Sequence, residues 1–185
     1  MISRTPQHRG LMRTAGRLAA SGTLAAASLV LPAASAHAAA GDLTCTASAE
    51  LNFDPPLSGP NASAEVDASA EFSNCTSANG HYTMASATVS ATGSATADSG
   101  TPCSLLFTAT GTGTIAWNTG ERSGYTWTVN TDPERGTITV SAEITRGPLR
   151  GDTVTAVPVA AHPNTDCAAS GLSRLTLAAA EVVFA

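Results

Sequence analysis

Only a few side chains in this sequence combine a reactive type with a suggestive spacing. Trp117, Tyr125 and Trp127 are the most interesting. With a hairpin turn centred near Glu121, Trp117 would oppose Tyr125 and Ile115 would oppose Trp127, placing three aromatic rings on one sheet face. Such a face can stack on a sugar ring or hold an apolar ligand. The competing expectation is that these rings fill the core, because only eight aromatic residues serve the whole chain. We expect the core role, with Trp127 mostly buried and Trp117 at least half buried.

The catalytic inventory is thin. His81 and His162 are the histidines beyond residue 38, both in polar loop contexts, Asn79-Gly80-His81-Tyr82 and His162-Pro163-Asn164. There is no G-x-S-x-G elbow to present a nucleophilic serine, and no paired-carboxylate motif. We therefore expect no catalytic residues, no cofactor and no metal. Arg150-Gly151-Asp152 spells an adhesion tripeptide, but three residues in a glycine turn are weak grounds for that function. Arg122 and Arg135 sit beside Glu121 and Glu134, as solvated ion pairs do. The sequons at Asn61 and Asn74 read as chance matches.

Cys45, Cys75, Cys103 and Cys167 are spaced 30, 28 and 64 residues apart. These separations exclude CxxC redox and zinc patterns, so two disulfides are expected. Cys45–Cys75 follows from symmetry, since its midpoint is residue 60, inside the turn Pro55-Pro56-Leu57-Ser58-Gly59-Pro60. Cys103–Cys167 follows by elimination.

The elements that must position these groups are strands. Leu43, Cys45, Ala47, Ala49, Leu51 and Phe53 alternate with polar residues, and so do Ala62, Ala64, Val66, Ala68, Ala70 and Phe72. Period two over ten residues means one buried and one wet face. Further strands are expected over 82–96, 104–117, 125–130, 137–145, 153–160 and 172–184, separated by Gly/Pro/Asn turns. Gly111 and Gly113 interrupt an inward face, which indicates a bulge or a close backbone approach. Only Leu177 to Val183 is ambiguous between strand and helix. About eight antiparallel strands lead us to expect an all-β sandwich, immunoglobulin-like or related. Because so many inward positions are alanine, its core should be thin.

Residues 1–38 read as a secretory signal: four arginines, an apolar stretch from Leu18 to Ala36, and the Ala36-His37-Ala38 cleavage pattern. Residues 39–185 then form one domain. That part carries five arginines and no lysine against fourteen acidic residues, a net charge of −9. Nucleic acid and anionic membranes should repel it. No lipoprotein pattern precedes Cys45, so we expect release from the cell, without a stable membrane anchor and as a monomer.

The Leu43–Phe53 cysteine strand, the Phe53-Asp54-Pro55-Pro56-Leu57 turn and the Gly113-Thr114-Ile115-Ala116-Trp117-Asn118-Thr119-Gly120 hairpin resemble those of small secreted actinobacterial β-sandwich proteins of the streptomycete type. That resemblance implies export and a sandwich, and supplies no site. In composition alone the chain is similar to the enediyne-binding apoproteins, whose disulfides close shorter loops. Streptomycete subtilisin inhibitors share its size and four cysteines, but their reactive-loop Cys-Pro motif is missing. The leading expectation is a secreted, non-enzymatic binding or envelope-associated module with an extracellular ligand or protein partner. The alternatives are a carrier of a small apolar or aromatic metabolite, and a secreted hydrolase.

Overall fold

The alternation is realised as eight strands, numbered in chain order. They are β1 (Leu43–Leu57), β2 (Ser63–Thr76), β3 (Ala87–Ala97), β4 (Phe107–Trp117), β5 (Arg122–Asp132), β6 (Thr137–Arg146), β7 (Thr153–Pro163) and β8 (Leu172–Phe184). A four-residue helical turn, α1 (Cys167–Ser170), precedes β8 and has no counterpart in the sequence expectations. The computed structural model describes residues 42–97, 103, 106–132 and 137–185. The signal reading of residues 1–38, Leu105, and the Arg135–Glu134 pair lie outside the described residues.

The strands do not form a sandwich. Each pairs antiparallel with the next, and β8 returns to pair with β1, closing an eight-stranded barrel. Sandwich and barrel strands share period two, so alternation cannot separate them. The difference lies in the β1–β8 ladder, from Leu43↔Phe184 to Leu57↔Leu172, which joins opposite ends of the sequence. Closure removes the sheet edges that a sandwich would leave.

Inward residues form two clusters, one at each end of the barrel. At one end Phe53, Leu57, Phe107, Val129, Leu172 and Leu175 pack together, with the Phe53 and Phe107 rings edge-to-face at 5.4 Å between centroids. The Cys103–Cys167 disulfide lies at this end. At the other end Leu43, Trp117, Ile144, Leu149 and Phe184 surround Cys45–Cys75. There Phe184 lies 5.8 Å from Phe72 and 5.7 Å from Trp117, centroid to centroid. The disulfides join the pairs expected from the hairpin midpoint and by elimination.

The seam between β6 and β7 is the shortest ladder. It runs only from Val140↔Ala156 to Glu143↔Thr153. Extending the register would set Thr139 against Val157 and Ile138 against Pro158, but these pairs do not form. Pro158 has no N–H to contribute, and the β7–β8 register shifts on both sides of it. Val157 and Val159, 72% and 67% exposed, flank this open stretch. Local opening should therefore start here. In hydrogen exchange, the Ile138 amide, which falls in the row that β6 turns toward β7 and has no ladder partner there, should exchange well before those of Ala109 and Val129, which pair inside the β4–β5 ladder.

Candidate functional site

The β4–β5 turn sets the position of the aromatic residues. The Gly120 N–H donates to the Trp117 carbonyl at 2.9 Å, and the Trp117 N–H donates to the Glu121 carbonyl at 3.0 Å. Gly120 has φ 88°, the left-handed conformation that ends a three-residue hairpin loop. The turn is thus centred on Thr119 instead of Glu121, and the expected cross-strand pairs are replaced. Tyr125 opposes Gly113, Trp127 opposes Gly111, and Ile115 opposes Ser123.

That register gives the glycines their role. A Cβ on Gly113 would sit 2.6 Å from the Tyr125 hydroxyl, and one on Gly111 would sit 2.8 Å from Cε2 of Trp127. Gly93, paired with Gly111, offers the same clearance to the indole. The close backbone approach expected from the sequence is found at Gly111, where the Thr92 carbonyl and Gly93 Cα come nearest and the Trp127 indole lies just beyond, while at Gly113 the approaching group is the Tyr125 ring.

The three aromatics do not form a surface platform. Trp117 is 3% exposed and Trp127 7%. Trp117 belongs to an end cluster, where its Nε1–H donates to Ser123 Oγ at 2.9 Å and Ser123 Oγ donates to the Pro148 carbonyl at 2.7 Å. Tyr125 and Trp127 instead line an interior cavity at the waist of the barrel. Its volume is about 130 Å³. Ala47, Ala49, Ala68, Ala70, Ala142 and Ala156 make much of the wall, where larger side chains would close the space. The alanine faces read as a thin core thus enclose a void.

The wall carries no charged residue. Ser69 contributes to it, but its side chain is on the exposed face of β2. Trp127 Nε1 is buried without a hydrogen-bond partner and is closed to solvent. Burial alone pushes the Tyr125 phenol well above its ordinary value of 10.0. The folded state keeps that proton while the unfolded chain loses it above pH 10. The associated stability is complete below that pH and is lost as pH rises through the folded-state value.

The other candidates do not assemble. His81 and His162 are exposed. Among the described residues no hydrogen bond joins either imidazole to a serine or carboxylate, and no three potential metal ligands cluster. In Arg150-Gly151-Asp152, Asp152 Oδ2 is buried without a partner, unlike a presented adhesion carboxylate. A hollow of about 640 Å³ on the outer face, lined by Asp67, Thr92, Thr112 and Arg146 among others, is broad and open. Small-molecule sites are usually concave and mostly apolar, as the waist cavity is.

The outward strand faces are rich in Ser, Thr, Asp and Glu and the interior is apolar, the reverse of a membrane barrel. No helix among the described residues is long and apolar enough to cross a membrane. Fold and site together define an antiparallel eight-stranded barrel with an apolar interior cavity. No protein-family model matches the chain, and neither a curated protein nor a solved structure matches it.

Proposed function

We propose that this is an exported, non-enzymatic binding protein whose barrel interior carries a small apolar molecule. The waist cavity is the observation that carries this reading. At about 24 cal/mol per Å³, leaving 130 Å³ unfilled costs roughly 3 kcal/mol. That is large beside a typical stability of about 5–15 kcal/mol. Leucine in place of one wall alanine would recover part of that cost. A bound ligand accounts for a wall that stays small. Dry apolar cavities of about 150 Å³ accept benzene, so this volume suits one ring or a short chain. Export is supported by the arginine-rich, apolar leader and by two disulfides, which persist outside the cell.

Toluene titrated into the disulfide-bonded protein, followed by calorimetry, tests the reading. Saturable binding at about 1 mM or tighter, equivalent to roughly 4 kcal/mol, is expected. Ala142→Leu should weaken it at least about tenfold while leaving stability equal or higher by about 0.5–2 kcal/mol. A wild-type protein that does not bind toluene would sink the carrier reading.

A further inference from the structure

We propose that the Tyr125 hydroxyl is the polar handle of the cavity, and that the ligand is a neutral one-ring or short-chain molecule presenting a single carbonyl-type acceptor to it. This rests on the carrier reading and goes further, by assigning the ligand class and the residue that selects it.

Tyr125 reaches both end clusters, so its ring stands at the waist between them. Across the ladder, Gly113 leaves the space its hydroxyl occupies. Phenylalanine would pack the same ring against the same glycine, so the hydroxyl is the part that packing does not explain. The other polar groups of the wall are turned away or closed off: Ser69 points outward and Trp127 Nε1 is inaccessible. The cause raising the phenol's pKa is desolvation. A phenol is protonated at physiological pH even at its ordinary value of 10.0, so the group can donate its hydrogen to an acceptor. Without a charged side chain in the wall, an ionised carboxylate or amine would be stranded in apolar surroundings, which favours a neutral ligand. The volume limits it to about one ring.

The test compares benzaldehyde with styrene, a hydrocarbon of nearly the same shape, in the wild type and in Tyr125→Phe. Tyr125→Phe should weaken benzaldehyde about fivefold or more. It should change styrene by less than roughly twofold, as expected for a contact the hydrocarbon does not make. Thermal melting of the variant at neutral pH, expected to match the wild type, verifies that it is folded. The same variant should lose the part of the stability decline above pH 10 that comes from this phenol. Equal loss for both probes, or no loss for either, would overturn the handle and leave the carrier reading standing. A wild-type protein that binds neither probe would overturn both.

Discussion

Trp127→Ala should cost the fold about 3–5 kcal/mol, the range for removing a large buried aromatic side chain. The indole is 7% exposed and packs in the cluster with Phe107, Val129 and Leu177. It lies beside Gly93 and Gly111, neither of which has a side chain to move into the vacated space. The void would also adjoin the existing waist cavity, whose alanine wall has little reach. Relaxation should thus recover little of the loss. In a domain of this size the melting temperature should fall by roughly 10 °C. Trp127→Phe keeps a ring on the glycines and should lose distinctly less. If Trp127→Ala melts within a degree or two of the wild type, the indole does not support the barrel, and the cavity's boundary on that side would need another explanation.

The faces of the strands were legible because alternation is a local property. Leu43, Cys45, Leu51 and Phe53 on β1, and Ile144 on β6, face inward as their spacing requires. The ambiguous Leu177–Val183 segment lies within β8, where ladder partners on β1 and β7 override its helical tendency. Closure was not legible, because it depends on Leu43 meeting Phe184, and no short window of sequence records that pairing. The turn centre was missed for a different reason. Asn118-Thr119-Gly120 and Glu121-Arg122-Ser123-Gly124 are adjacent turn signals, each ending in glycine. The chain turns at Gly120, while Gly124 remains in β5 with Arg146 lying across it. A two-residue change in turn centre moved Tyr125 from Trp117 to Gly113. The cavity was only half visible. Alanine at alternate positions signals missing volume, but whether a sheet collapses onto that volume or encloses it is decided by closure. The selection of Tyr125 and Trp127 as binding candidates carried no information about an interior void, and Trp117 belongs instead to an end cluster.

Removing Cys103–Cys167 should have an effect of similar size, acting mainly through the unfolded chain. The bridge spans 64 residues, and loop-closure entropy assigns it about 4.3 kcal/mol. Cys45–Cys75 spans 30 residues, for about 3.6 kcal/mol. The β1–β2 hairpin already brings Cys45 near Cys75 through the register from Asp54↔Glu65 to Thr44↔Thr76. Cys103 and Cys167 are joined by no single hairpin. Four strands, β4 to β7, lie between them, and the bridge ties the segment before β4 to the α1 turn at one end of the barrel. Without it the unfolded chain gains more freedom, and that end loses its covalent tie. Urea unfolding of Cys103→Ala/Cys167→Ala should show lower stability and a steeper denaturant dependence, because a less constrained unfolded state exposes more surface. Cys45→Ala/Cys75→Ala and the Cys103–Cys167 variant both lose buried sulfur, since Cys45 and Cys75 are 1% and 8% exposed and Cys167 is 5% exposed, so the clearer difference between them is the smaller entropic effect of the Cys45–Cys75 bridge. The dependence on urea separates the two mechanisms. The slope should rise more for the Cys103–Cys167 variant than for the Cys45–Cys75 variant. Equal slopes for both variants would show that loop length does not set the contribution of either bridge.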